Sequence, residues 1–281
     1  MEDTACVEFL QWAAPRLDMR WQGFRRVRKQ VCKRIQRRIT LLQLEDVSAY
    51  RGYLGVTPSE WGVLDGLVRV VVTRFYRDRA VFDCLYQRLL PQRINDIRAG
   101  GGERLRAWCI GCASGEEPYT LSLLWNHLSA AQRRGMELEI LATDSDDRLL
   151  QRAMTACYPY GSIKALPVGW QEQGFERRAG DYCLRDEYKT PVRFQLHDVR
   201  QAFVHGPFDL LFCRNLAFTY FNDSLQMETL KKIHAVLAED GLLVVGGRET
   251  LPAGQDYFEQ HPECRGIYIR RSGINTTIKL K

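Results

Sequence analysis

The run Gly111-Cys112-Ala113-Ser114-Gly115-Glu116-Glu117-Pro118-Tyr119 combines residue types that can hold a ligand. Gly111 and Gly115 allow the backbone to approach a bound molecule, and a following helix offers unpaired N–H groups. The spacing is GxxxG. It differs from the GxGxxG of dinucleotide binders and from the phosphate loop ending Gly-Lys-Ser/Thr. Glu116 and Glu117 repel a pyrophosphate but suit a ligand with a cationic end, such as an amino or sulfonium group. Asp144, 33 residues beyond Gly111, ends a second apolar run, where an acid can accept hydrogen bonds from ribose hydroxyls. A helix cap is an equal use for an isolated Asp at that point. His197-Asp198-Val199 and Cys213-Arg214-Asn215 repeat the arrangement after two further apolar runs.

These groups need strand ends to carry them. Leu105–Ile110, Leu138–Thr143, Val192–Leu196, Phe208–Cys213 and Gly241–Val245 read as strands. Tyr119–Leu128, Arg148–Cys157 and Ser224–Ala238 read as helices; Leu121, Leu124, Trp125 and Leu128 follow the i, i+3, i+4, i+7 pattern. The alternation predicts an α/β fold with a mainly parallel sheet covered on both faces. The polar groups then gather at one edge, where ligands bind in such sheets. Residues 158–190, rich in Gly, Pro and aromatics, break the rhythm and are expected to form an inserted subdomain or a long functional loop. Residues 1–90 read mostly helical, with a helix start at Thr57-Pro58-Ser59-Glu60 and a linker expected at 91–102, ahead of a domain over 103–281.

Four blocks resemble the chemotaxis receptor methyltransferase (CheR) family: Thr73-Arg74-Phe75-Tyr76-Arg77-Asp78, residues 111–119, Ala142-Thr143-Asp144, and Phe212-Cys213-Arg214-Asn215 followed by Tyr220-Phe221. The resemblance extends from about residue 22 to about residue 255. It implies a helical N-terminal domain, a Rossmann-like class I methyltransferase sheet and a small inserted β-subdomain near 158–190. It also implies S-adenosyl-L-methionine as methyl donor, S-adenosyl-L-homocysteine as product and a protein glutamate as acceptor. Carried over residue by residue, the resemblance assigns cofactor binding to Thr73, Gly111, Ala113, Gly115, Glu116, Glu117, Asp144, Asp198, Val199, Arg214 and Asn215. Arg77, Arg214 and Tyr220 are the expected catalytic residues, and no metal is expected. A carboxylate acceptor is ionised at neutral pH and needs no general base. An arginine can hold it through two parallel hydrogen bonds.

The chain departs from the family pattern at four places. Val71 stands where the family usually has Asn, and Tyr76 where it usually has Phe. One extra residue precedes Tyr220, so Thr219 and Tyr220 compete for one role. Gly246-Gly247-Arg248-Glu249 replaces Gly-His-Ser-Glu. A methyltransferase acting on a small molecule or an unrelated protein, and a non-catalytic S-adenosylmethionine-binding module, therefore stand as alternatives.

Charge is unevenly placed over the 281 residues. The formal net charge is +6, but residues 22–40 carry eight cations and no acid, leaving −2 elsewhere. Val27, Val31, Ile35 and Ile39 recur every four residues there, so one helical face is apolar and the others are cationic. These cations read either as the solvated face of a small helical domain or as a surface for an acidic partner, among them an anionic membrane; residues 25–38 are expected to dock an acidic protein helix or a receptor cytoplasmic region, with Arg34, Arg37 and Arg38 as candidate contacts. With Phe24 nearly the sole aromatic nearby, base stacking has little support and no nucleic-acid partner is expected. The hydrophobic fraction of 45% excludes wholesale disorder, and no apolar run is long enough to span a bilayer. A cationic leader is not seen at Met1-Glu2-Asp3, so a cytoplasmic protein without membrane insertion is expected. Nine irregularly spaced cysteines argue against a disulfide framework and for a reducing compartment. The CxxC at Cys109 and Cys112 reads as a strand residue followed by a loop residue.

Overall fold

In the computed structural model, which describes residues 3–274, the four-residue apolar spacing of the basic segment becomes a helix. The described residues fall into two compact units, the first comprising those up to Val72 together with Thr219–Gln226. Its long helices are α1 (Asp3–Ala13), α2 (Arg28–Leu41), α3 (Val47–Val56) and α4 (Glu60–Val68). Val31, Ile35 and Ile39 of α2 are buried in a core with Phe9, Leu10, Tyr50, Leu54 and Leu64. Asp46 caps α3, accepting from the Ala49 N–H at 2.8 Å.

Three of the eight cations near α2 build this unit. Arg28 pairs with Asp3 at 3.0 Å. Arg34 donates to the carbonyls of Leu67 and Arg69 at 3.3 and 2.6 Å. Arg38 grips Glu60 at 2.8 and 2.7 Å, and the Tyr50 hydroxyl donates to the same carboxylate at 2.8 Å. Glu60 is buried, and the Arg38 hydrogen bond holds its carboxyl below the usual range. Arg34 and Arg38 are thus committed within the fold, which corrects their expected place on a docking face. Arg25, Arg26, Lys29, Lys33 and Arg37 are exposed.

The second unit takes Thr73–Phe218 and the described residues from Met227 onward. This corrects the expected boundary at 91–102. Residues 79–84 form α5 (Arg79–Cys84), and the supposed linker continues as α6 (Leu90–Ala99). Phe75, Phe82, Leu85, Leu90 and Ile94 are fully buried in the same core as Leu105 and Ala107. Gly100–Gly102 ends a helix; Gly100 N–H donates to Asp96 and Gly102 N–H to Ile97.

The main sheet contains β1 (Arg104–Ile110), β2 (Glu137–Asp144), β6 (Val192–Leu196), β7 (Phe208–Cys213), β8 (Leu237–Val244), β9 (Phe258–Gln260) and β10 (Ile267–Arg270). Its order is β6-β2-β1-β7-β8-β10-β9. The first five run parallel, while β10 is antiparallel to both β8 and β9. Counted within this sheet alone, the order is 3-2-1-4-5-7-6, a Rossmann-like arrangement that reverses direction between β1 and β7. Helices α7 (Glu116–His127), α8 (Asp147–Thr155) and α9 (Asp223–Val236) alternate with the strands. The insertion is a three-stranded antiparallel sheet of β3 (Cys157–Tyr158), β5 (Asp181–Leu184) and β4 (Phe175–Arg178), in that order.

Cysteine pairing differs from the expectation. Cys6–Cys32, Cys84–Cys264 and Cys157–Cys183 are disulfide-bonded, while Cys109, Cys112 and Cys213 are buried thiols. Cys157 and Cys183 are opposite one another across β3 and β5, a register that spacing alone does not reveal. Among the described residues, no helix is long and apolar enough to cross a membrane.

Candidate active site

The loop after β1 turns through left-handed backbone at Gly111, Ala113 and Gly115, with φ of 70°, 50° and 92°. Gly111 and Cys112 N–H groups donate to the Thr143 carbonyl at 2.8 and 2.9 Å, tying the loop to the end of β2. Asp144 completes the tie. One carboxylate oxygen accepts from Ala113 N–H at 2.9 Å and the other from Asp146 N–H at 3.0 Å. Gly115 precedes α7; a Cβ there would lie 3.0 Å from Ala153 Cβ as well as demanding an unfavourable φ.

Glu116 opens α7 as a buried carboxylate. Three hydroxyls donate to it: Thr73 at 3.2 Å, Ser114 at 2.9 Å and Ser162 at 3.1 Å. No cation pairs with it among the described residues. Burial pushes its carboxyl above the usual range despite these bonds. A buried carboxylate surrounded by neutral donors is a place where a cationic group can be held.

Glu117 is oppositely provided for. Its Oε2 accepts from Arg214 Nη1 at 3.0 Å, and burial raises its carboxyl in spite of that partner. Arg214 follows β7 and is only 7% exposed. Its Nη2 donates to Asp78 Oδ2 at 2.9 Å and to the Arg77 carbonyl at 2.5 Å. The guanidinium lies over the Phe82 ring at 4.8 Å. Burial raises the Asp78 carboxyl, but Arg214, the Gly247 N–H and Arg77 outweigh it and hold it below the usual range.

Arg77 is half-buried, and its Nη2 donates to Asn215 Oδ1 at 3.0 Å. Asn215 has φ of 55°, and its own N–H donates to Glu249 Oε2 at 2.6 Å. Thr73, Arg77, residues 111–117, Asp144, Arg214 and Asn215 are therefore brought together by the second unit. Asp198 follows β6, where Arg200 grips it through Nε at 3.0 Å and Nη2 at 2.6 Å; Val199 beside it is buried. Tyr220 belongs to the first unit, with its ring 5.3 Å from that of Phe24. Cys109 and Cys112 are held as neutral thiols by burial, which removes their nucleophilic form.

Three contributors escaped the sequence reading. Asp78 stood inside a quoted block, next to Arg77. Glu249 is the acid that ends Gly246-Gly247-Arg248-Glu249. Ser162 carried no signal, because its contact with Glu116 comes from the insertion.

Comparison with known proteins follows the same blocks. The family model described as CheR methyltransferase, SAM binding domain, matches residues 71–267. The chain is 31% identical over 252 residues to chemotaxis protein methyltransferase 2 of Vibrio cholerae, covering 86% of this chain and 85% of that one. It is 30% identical over 191 residues to the chemotaxis protein methyltransferase of Listeria monocytogenes, covering 68% and 70%. It is also 31% identical over 258 residues to an uncharacterized 104.1 kDa protein of Rhodobacter capsulatus, of which it spans 27%.

Proposed function

We propose, because this chain belongs to the CheR methyltransferase family and is an S-adenosylmethionine-dependent methyltransferase, that it methylates glutamate side chains of a protein acceptor. The residues around the β1 loop fit the cofactor. Buried Glu116 asks for a cation, and the amino group of S-adenosylmethionine supplies one. Asp144 ends β2 beside the loop, where a carboxylate can accept hydrogen bonds from ribose hydroxyls. Asp198 and Val199 after β6 are assigned to the adenine. When bound, S-adenosylmethionine supplies the electrophilic methyl group.

The observation carrying the acceptor assignment is the short segment from Thr73 to Arg77. Thr73 donates to Glu116, and Arg77 donates to Asn215. A hydroxyl that touches the donor-site anion Glu116 and a cation for the acceptor thereby stand four residues apart on one stretch of chain. Both terminal nitrogens of Arg214 already serve Glu117, Asp78 and the Arg77 carbonyl. Arg77 is the cation that the family match assigns to hold the incoming carboxylate and align its oxygen for in-line attack. Its positive charge favours an ionised carboxylate over a cationic amine.

The acceptor is assigned as an acidic protein helix or a receptor cytoplasmic region, which places the enzyme in the cytoplasm. Arg26, Lys29, Lys33 and Arg37 are exposed at helical spacing, with Arg25 beside them, and supply the matching positive face.

Methyl incorporation into protein tests the reading. The expected product is base-labile, as a carboxyl methyl ester is, and Arg77→Ala is expected to cut turnover about 100-fold or more. A base-stable product, or full activity of the Ala variant on the natural acceptor, overturns it.

A further inference from the structure

We propose that Asp78 is a positioning residue for methyl transfer, acting through Arg214 to fix Arg77 where the acceptor carboxylate must be held. The inference rests on the assignment of Arg77 as the acceptor-holding cation.

Asp78 has left-handed backbone, with φ of 59°. An Asp tolerates this conformation better than most side chains, yet it still carries a steric cost. Two bonds hold it there. Its Oδ2 accepts from Arg214 Nη2 at 2.9 Å and from Gly247 N–H at 3.2 Å. The same Nη2 donates to the Arg77 carbonyl at 2.5 Å. One buried guanidinium nitrogen thus ties down both the Asp78 side chain and the Arg77 backbone.

The far end of Arg77 is tied to the neighbouring residue in sequence, because its Nη2 donates to Asn215. Both ends of Arg77 are therefore referred to the Arg214-Asn215 dipeptide after β7. Glu249 secures that dipeptide, since its Oε2 accepts from Asn215 N–H and Gly246 N–H, each at 2.6 Å. A Cβ on Gly246 would fall 2.8 Å from that oxygen and 3.0 Å from Asn215 Nδ2. A side chain at 246 would therefore displace that carboxylate from its place.

Asp78 and Glu117 both face the charges of Arg214 and Arg77. What Asp78 contributes beyond charge is a fixed link from Arg214 to the residue that follows Arg77. Reacting groups must be held within a fraction of an ångström, so this is a link on which turnover should depend.

The test is a double-mutant cycle on the full chain, reading kcat, acceptor KM and S-adenosylhomocysteine affinity for Asp78→Asn, Arg77→Ala and both together. Asp78→Asn is expected to lower kcat about 10- to 100-fold and to leave product affinity unchanged. In the Arg77→Ala background it is expected to cost nothing further, because a residue that acts through Arg77 has nothing left to position. Equal losses in both backgrounds, or product affinity falling in step with kcat, overturn the proposal. Full activity of Arg77→Ala removes the acceptor reading beneath it instead. Should Asp78→Asn fail to fold, Asp78→Glu keeps the charge and displaces the carboxylate by one methylene. Its loss of kcat must likewise vanish when Arg77 is absent, or the proposal fails.

Discussion

Replacing Glu116 with Gln removes one charge and nearly no volume, which isolates the electrostatic argument for the donor site. Three hydroxyls surround this carboxylate, at 2.9 to 3.2 Å, and burial raises its pKa. In the free protein the charged form is therefore the disfavoured one. A carboxylate whose folded pKa lies above its unfolded value destabilises the fold when ionised, and that cost disappears as pH falls through the raised pKa. Gln never ionises. The free Glu116→Gln protein should then melt no lower than wild type at neutral pH.

Ligand affinity should move the other way. A hydrogen bond to a charged partner contributes about 1.5–3 kcal/mol, so losing it weakens binding by roughly 10- to 150-fold. Binding of the product's ammonium group needs Glu116 ionised, so wild-type affinity should decline as pH falls from neutrality toward the raised pKa. That decline starts above the ordinary carboxylate range, and proton release accompanies binding there. Calorimetric titration with S-adenosylhomocysteine, in buffers of different ionisation enthalpy and between neutral and mildly acidic pH, reads all three quantities. Unchanged affinity in Glu116→Gln, or a wild-type affinity flat across that range, refutes the assignment of Glu116 to the cationic end of the ligand.

Asp144→Ala should weaken product binding by on the order of 1–3 kcal/mol, as measured by the same titration; Asp144→Asn should lose less, because it keeps an oxygen for the Ala113 N–H. Reversing charge at Lys29, Lys33 and Arg37 should reduce methylation of a macromolecular acceptor, most at low salt, and leave product affinity unaltered. Reversal at Arg38 acts differently: it strands buried Glu60 and should lower the melting temperature by roughly 5 °C or more.

The strands that carry the site were legible because each is a short apolar run closed by a polar or glycine-rich turn. Val192–Leu196 and Phe208–Cys213 have the expected bounds. Glycine punctuation has two meanings: Gly100-Gly101-Gly102 ends a helix, yet its composition equally suits a linker, and only packing shows that the apolar residues before it belong to the second unit. The strands β9 and β10 carry no clear sequence signal, being three and four residues long and mixing charge with apolar positions. Ion pairs were the least legible feature. Arg38 meets Glu60 across 22 residues and Arg214 meets Asp78 across 136, and no local pattern singles out such partners. The same holds for the three disulfides, whose partners are brought together by packing and register.

The departures from the family pattern weigh less against a carboxylate acceptor once their surroundings are known. Tyr76, in place of Phe, keeps its ring stacked on Phe82 at 5.7 Å, while its hydroxyl donates to Asp83 at 2.7 Å. The added oxygen is satisfied within the fold and does not alter the chemistry at Arg77. Gly247, in place of His, is not sterically required. A Cβ there would sit 3.6 Å from Asp78 Cβ, an ordinary contact, and the N–H that matters to Asp78 belongs to the backbone. Glu249, the acid that pins Asn215, is retained where the family pattern has its Glu. Arg77 is held by the Arg214 and Asn215 side chains, and Asp78 and Glu249 behind them bond to main-chain N–H groups that side-chain substitutions at 76 and 247 leave in place. An arginine restrained at both its backbone and its guanidinium is the arrangement that aligning a carboxylate acceptor calls for.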